Sequence, residues 1–372
     1  MNTVINFIKK EAVLIISGIL AVISCFFVPP SAKYLDYIDF RVLILLLCLM
    51  LAVAGIRQTG AFTVICEFLL KKFRSIKAVG LMLLLLSFFM SMLLTNDVTL
   101  VTMIPFTLLM FERISCEKKA RAEITLLVLE TAASNLGSML TPMGNPQNLY
   151  LYSKFNLSMG EFLGIIFPYS ALSLVLLVIS VFVFLPKLKI EEPKGSEKIQ
   201  GKFKLILFIL LFGVNMLTIL RILDEKILLA IVAAAVLLVD RKLFLKADYS
   251  LLLTFVFFFV FVGNMGAIPA LSDTLKNVLL GNEVGVSVLL SQVISNVPAA
   301  ILLSGLSDNG AALIIGTNLG GLGTLIASMA SLITYKFYAG AKGSSPKKYI
   351  LVFTVFNVCF LAVLLGLYFV LR

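Results

Sequence analysis

Two apolar runs of this chain are interrupted by polar residues of types that suit ion and anion chemistry. Thr95, Asn96 and Asp97 break the run 76–111, and Ser295 and Asn296 break the run 284–306. An Asn amide offers a carbonyl to a cation and two N–H donors to an anion, while a carboxylate binds Na+ or exchanges a proton. After each interruption comes a segment that cannot sustain regular helical hydrogen bonding. The first, ASNLGSMLTPMGNPQNLYLY, runs from Ala133 to Tyr152 and contains Gly137, Pro142, Gly144 and Pro146. The second, GTNLGGLGTLIASMAS, runs from Gly316 to Ser331 and contains Gly320, Gly321 and Gly323. A broken helix exposes backbone carbonyls, which bind cations, and half-helix N-termini, which favour anions.

On this basis Thr95, Asn96, Asp97, Asn135, Gly137, Thr141, Ser295 and Asn296 are assigned to ion binding. Asn96, Asn145, Asn148, Ser295, Asn296, Asn318, Gly320 and Thr324 are assigned to substrate. Asn96 and Asn296 are expected to face each other across a mid-membrane cavity, with Asp97 the one charge nearby. Plainer roles compete: the glycines for close helix packing, the prolines as kinks, Asp97 as an N-cap. Yet Asp97 aligns with Val297, so capping does not demand an acid, and charge at such depth is costly. Glu130 also lies inside an apolar run, with Ser134 and Gly137 on the same helical face. It reads either as a structural partner of a nearby Lys or Arg or as a proton carrier.

The elements that must position these residues are membrane spans. Of the 372 residues, 60% are hydrophobic and 14% charged, against roughly 45–50% and about 25% in a soluble domain. The expected fold is an all-α polytopic membrane protein with inverted-topology repeats. It has about nine full spans, two re-entrant helical hairpins and two broken helices. The spans are placed at 11–29, 39–56, 122–152, 161–186, 204–221, 226–240, 248–267, 310–333 and 350–371, and the hairpins at 76–111 and 284–306. The basic loops 57–77, 112–123, 187–204 and 336–348 all fall on one side only if neither hairpin crosses. The positive-inside bias makes that side cytoplasmic, with the N-terminus inside and Arg372 outside. Stretches 58–74 and 269–280 read as interfacial helices bracing the hairpins.

The halves repeat. SMLLTNDVTLV from Ser91 aligns with SQVISNVPAAI from Ser291, and SNLGSMLT from Ser134 with TNLGGLGT from Thr317. Asn135 thereby matches Asn318, Gly137 matches Gly320, and Thr141 matches Thr324. Upstream, the segment from Asp39 resembles that from Asp248. The expected organisation is a first repeat over 1–186, a cytoplasmic linker over 187–203, an extra span over 204–225, and a second, inverted repeat over 226–372.

FMSMLLTNDVTLVTMIPFTLLM, NLGSMLTPMGNPQNL, SQVISNVPAAILL and GTNLGG resemble the ion transporter superfamily of arsenite permeases, NhaD-type sodium/proton antiporters and divalent anion:sodium symporters. The resemblance is nearest to the YbiR-type branch and covers nearly the whole chain. It implies an inverted-repeat fold with two re-entrant hairpins, a homodimer built through scaffold helices, and elevator-like movement. In the symporter branch a Ser-Asn-Thr triplet at each hairpin tip helps bind sodium and a substrate carboxylate. Here the triplets are Thr95-Asn96-Asp97 and Ser295-Asn296-Val297, each departing at its third position.

Other classes find little support. The chain has no His, its five cysteines lack CxxC spacing, and no GxxxxGK[ST] loop is present, so enzymatic chemistry and direct ATP hydrolysis have no footing. The net charge of +11 belongs to loops between spans, which argues against a nucleic-acid partner. The first apolar run is longer than a signal-peptide core and lacks an A-x-A site, so it reads as an uncleaved span. Paired broken helices favour alternating access over a passive channel. The expectation is a secondary transporter in the inner membrane, with the lipid bilayer as solvent, no cofactor, Na+ or H+ as coupling ion, and a small inorganic or organic anion as substrate. Na+/H+ antiport and arsenite-type efflux follow as alternatives.

Overall fold

The computed structural model describes residues 11–61, 64, 75–112, 119–186, 200–268, 277, 279–341 and 343–372. The expected interfacial helices over 58–74 and 269–280 and the linker over 187–203 lie largely outside these residues. The regular elements described are helical. The longer α-helices are α1 (Ala12–Phe27), α2 (Phe40–Gln58), α3 (Ile76–Leu94), α4 (Asn96–Glu112), α5 (Lys119–Ser138), α6 (Pro146–Lys154), α7 (Met159–Phe184) and α8 (Lys202–Ile219). There follow α9 (Glu225–Asp240), α10 (Tyr249–Gly266), α11 (Glu283–Ile294), α12 (Asn296–Ser304), α13 (Gly310–Gly320), α14 (Met329–Ala339) and α15 (Pro346–Leu371).

Helix boundaries follow local chemistry. In a membrane every free helical N–H must find a partner within the protein or at its edge. Asp39 accepts from Val42 N at 3.0 Å, Ser75 from Ala78 N at 3.2 Å and Asp248 from Leu251 N at 2.9 Å, each capping an N-terminus. Ser158 and Glu161 form a reciprocal capping box at α7. Among the described residues six helices, α2, α3, α7, α8, α10 and α15, are long and apolar enough to cross a bilayer. Their outward faces carry exposed Phe182, Leu210, Leu253, Leu351, Val363 and Phe369, a surface stable in hydrocarbon rather than water. This is an integral membrane protein.

Of the nine expected spans, 39–56, 161–186, 204–221, 248–267 and 350–371 correspond to helices of full length. Helices α1 and α9 have 16 residues each. The sixth long helix, α3, is the first arm of the first hairpin, 19 residues long and so about 28 Å at ~1.5 Å per residue. The second hairpin is shorter, with arms of 12 and 9 residues.

Loops gather into two sets. Gln200 N donates to Thr59 O at 2.9 Å, Lys77 Nζ to Phe182 O at 2.5 Å, and Lys204 pairs with Asp240 at 3.7 Å. At the other end Arg41 Nη2 donates to Thr218 O at 3.3 Å, Arg221 Nη1 to Asn156 O at 3.3 Å, and Arg372 Nη2 to Gly281 O at 3.4 Å. The first set includes residues of the basic loops 57–77 and 187–204, and the second joins other helix ends.

Packing interlocks the two halves of the chain. Within each half, a hairpin's first arm lies on the first part of the following helix, α3 on α5 and α11 on α13. Across the halves, α4 packs on α14 while α12 packs on α6, and α1 packs on α10 while α9 packs on α2.

Candidate functional site

Both hairpin tips adopt the same unusual backbone. Thr95 has φ 73° and ψ 150°, and Ser295 has φ 74° and ψ 156°. L-residues avoid this region at a cost of about 1–3 kcal/mol, a cost that persists where surrounding structure over-determines it. What enforces it is the start of the next helix. Thr95 O accepts from Thr99 N at 3.1 Å, and Ser295 O accepts from Ala299 N at 3.1 Å. The reversal turns Asn96 and Asn296 inward, both buried.

Close approach of helices makes this possible. A Cβ added at Gly137 would collide with the Phe88 carbonyl and crowd Ser91 Oγ, and one at Gly320 would lie 2.6 Å from Ser291 Oγ. The breaks are then tied to the hairpins at matched positions. Thr141 Oγ1 donates to Met92 O, and Thr324 Oγ1 donates to Gln292 O at 3.2 Å.

The asparagines form a crossed lattice. Asn96 Nδ2 donates to Asn135 Oδ1 at 3.1 Å, and Ser134 Oγ donates to Asn96 O at 3.1 Å. Asn135 Oδ1 also accepts from Ser328 Oγ at 3.0 Å, and its Nδ2 donates to Ser331 Oγ at 3.2 Å. In the opposite direction Asn318 Nδ2 donates to Asn148 Oδ1 at 2.6 Å, and Asn318 Oδ1 accepts from Asn145 Nδ2 at 3.3 Å. The alignment that matches Asn135 with Asn318 also matches Asn145 with Ser328 and Asn148 with Ser331. Each broken helix thus sends its Asn to the restart of the other. Asn145 additionally caps α6, accepting from Asn148 N at 3.1 Å, and Asn148 Nδ2 donates to Met139 O at 3.1 Å and Thr141 O at 3.3 Å.

Asn96 and Asn296 are not a hydrogen-bonded pair. Asn96 is held by Asn135, whereas Asn296 donates its backbone N–H to Ala327 O at 3.0 Å and sets its amide against Gly321. Ser295 Oγ donates to the same Ala327 O at 3.3 Å. Thr324 is exposed and engaged by Gln292 rather than by Asn296. Glu130 has no Lys or Arg partner among the described residues. The side-chain bond it makes is with Thr107 Oγ1, which donates to its Oε1 at 2.9 Å. The salt-bridge role expected for it is therefore corrected: the surrounding helices bring hydroxyls to it, not cations.

Two unsatisfied groups accompany this lattice. The half-buried Asp97 carboxylate, in the first turn of α4, has no hydrogen bond or ion pair among the described residues. Gln147 Nε2, in the first turn of α6, is buried without an acceptor. Arginines with described positions, such as Arg41, Arg57 and Arg121, sit near helix ends, away from both. Among the described residues no group of three or more His, Cys, Asp or Glu gathers to hold a metal.

Sequence reasoning missed Gln292, Ala327, Ser328 and Ser331. Gln292 Nε2 donates to Gly320 O and Leu322 O, both at 2.9 Å, and so quenches carbonyls freed by the second break. Ser328 and Ser331 could have been found by carrying the repeat alignment past Thr324 to the partners of Asn145 and Asn148. Ala327 contributes only a carbonyl, which no residue type signals.

Comparison with known proteins agrees with this architecture. The family model described as CitMHS, citrate transporter, matches residues 3–310. Inner membrane protein YbiR of Escherichia coli is 33% identical over 315 residues, covering 84% of this chain and 83% of that protein. An uncharacterized transporter of Methanocaldococcus jannaschii, MJ0456, is 35% identical over 308 residues, covering 82% of each. In fold, the Alcanivorax borkumensis YdaH transporter superposes with a TM-score of 0.57 at 15% identity, covering 90% of this chain and 86% of the other. Apolar helices on every side, a polar lattice at their centre and these relatives lead to one assignment: this chain belongs to the CitMHS citrate transporter family of the ion transporter superfamily and is a membrane transporter of a small solute.

Proposed function

We propose that this protein is a secondary active transporter that carries a small anion across the inner membrane, coupled to Na+ or H+. The carrying observation is a pair of groups without a partner among the described residues, the half-exposed carboxylate of Asp97 and the buried amide donor of Gln147. The first suits a cation or proton. The second, at the N-terminus of the half-helix α6, suits an anion. With the described arginines near helix ends rather than at mid-span, a multiply charged anion would be balanced by co-bound cations and helix dipoles, which is itself a reason for coupling. The family description makes citrate the first anion to test.

In this reading Thr95, Asn96, Asp97, Asn135, Gly137 and Thr141 contribute to ion binding, and Asn145, Asn148, Ser295, Asn296, Asn318, Gly320 and Thr324 to substrate and companion-ion binding. The crossed packing of α4 on α14 and α12 on α6 supports inverted repeats over 1–186 and 226–372. It also supports elevator-like motion of hairpins and broken helices together. The N-terminus is cytoplasmic, Arg372 faces out, and the working unit is a homodimer. Labelling of single cysteines tests the topology: position 272 reacts with an impermeant reagent in intact cells and position 196 does not, and the reverse pattern defeats it.

The direct test is uptake into proteoliposomes. Citrate, other carboxylates and oxyanions are each offered under an imposed Na+ or pH gradient. Saturable uptake that follows one gradient is expected; flux without saturation defeats the coupled reading. The unpaired Asp97 favours Na+/H+ antiport as the second reading, identified by sodium-driven proton movement with no anion present. Arsenite-type efflux ranks third.

A further inference from the structure

Away from the asparagine lattice, Glu130 of α5 is wholly buried, at 0% exposure. Its Oε1 accepts from Thr107 Oγ1 of α4 at 2.9 Å, and its Oε2 is enclosed with no partner. Around it lies an apolar cluster drawn from α4, α5, α14 and α15, including Leu100, Ile104, Leu127, Val128 and Phe353.

Among the described residues no Lys or Arg of a neighbouring element pairs with Glu130. Helix α3 carries Lys77, which is turned to Phe182 O at 2.5 Å, and α4 carries Asp97 at its far tip. Helix α7 offers Glu161 and Tyr169, α14 offers Tyr335, Lys336 and Tyr338, and α15 begins with Lys347, Lys348 and Tyr349. Of these, the Tyr349 phenol is within electrostatic range of Glu130. It too is at 0% exposure, and its hydroxyl lies beside Thr131 of α5. Tyr349 stacks on Tyr338 at 5.0 Å, and Tyr338 lies within electrostatic range of Glu123, a half-buried carboxyl two turns nearer the start of α5.

An ionised carboxylate sealed in apolar surroundings with one hydroxyl donor is unfavourable, and protonation removes its charge. We propose that Glu130 is a proton-binding site separate from the asparagine lattice, occupied as the neutral acid. The site exists whether or not the transport reading holds. Its part in coupling rests on that reading.

Infrared spectroscopy of the purified protein at neutral pH tests the site without transport. A C=O stretch of a protonated carboxylic acid should be present in the wild type, shift on exchange into D2O, and vanish in Glu130→Gln. Isotopically labelled glutamate should shift the same band in the unmodified protein, which guards against a variant that fails to fold. Absence of any glutamate-derived band overturns the proposal, as does its survival in Glu130→Gln. For coupling, Glu130→Gln should remove one limb of the pH profile of uptake and leave saturation by substrate intact. An unchanged profile overturns the coupling role, while a wild type that transports nothing in any gradient indicts the transporter reading and leaves the infrared result standing.

Discussion

The two hairpins and the broken helices behind them share one backbone and differ in polarity. Their tips turn through nearly identical torsions at Thr95 and Ser295, and each broken helix reaches its hairpin through a glycine and a threonine. The first unit places a carboxylate after its Asn, where the second has Val297. Its Asn bonds to the broken helix behind it, whereas Asn296 leans on backbone. Its break is bridged by a 3-10 turn at Pro142–Gly144 and capped by Asn145, whereas the second is a glycine loop, with Gly323 at φ +107°, braced from outside by Gln292. A shared scaffold can thus carry two chemistries, one charged and one neutral.

Four experiments sharpen or break that contrast. The largest effect belongs to Asp97→Asn, which should lower ion-stimulated uptake on the order of tenfold or more while leaving the melting temperature in place. Val297→Ala, at the matched position, should leave uptake nearly untouched. Equal losses from both would show that the acid is not special. Next come the glycines. At Gly137 a methyl meets a fixed carbonyl, so Gly137→Ala should cost about 1–3 kcal/mol. Gly320→Ala should cost less, because its nearest neighbours, Ser291 Oγ at 2.6 Å and Cβ at 2.8 Å, are side-chain atoms farther off than the backbone carbonyl met at Gly137. Thermal melting in detergent decides, and the opposite order would show that the second unit is the stiffer one.

Asn135→Ala and Asn318→Ala each strand buried polar partners, at about 1–3 kcal/mol apiece. Because the crossings are reciprocal, the two melting shifts should be similar; a large shift from one alone would mean that a single crossing holds the halves together. The smallest effect is at the tips. Thr95→Gly relieves the positive φ and should stabilise by up to about 1 kcal/mol. Ser295→Gly should gain less, since it also forfeits the bond to Ala327 O.

Much of the arrangement was legible because membranes restrict the options. Runs such as Asp39 to Gly55 and Met159 to Phe184 could only be helices, and the interruptions at Thr95–Asp97 and Ser295–Asn296 fall where α3 and α11 end. Glycines and prolines marked the breaks between Ser138 and Pro146 and between Gly320 and Met329, because neither can sustain a helix ladder there. Less visible was the second shell. Gln292 sits in an ordinary helical context, and nothing local announces that its amide serves carbonyls released 28 and 30 residues later. The partner of Glu130 was misjudged for the same reason: hydropathy marks a buried acid without saying whether a cation or a hydroxyl will meet it.

By itself the sequence determined the solvent, the helices and the two interruptions, since these depend on residue type, length and period. Tertiary structure alone decided which like positions touch. Asn135 could have met Asn318 or Asn145, and all three combine the same donors and acceptors. The choice of Ser328 and Ser331 for Asn135, and of Asn145 and Asn148 for Asn318, comes from how α4 lies on α14 and α12 on α6. Interlocking of that kind is set by the packing of whole helices, a sum over many weak contacts that no short motif records.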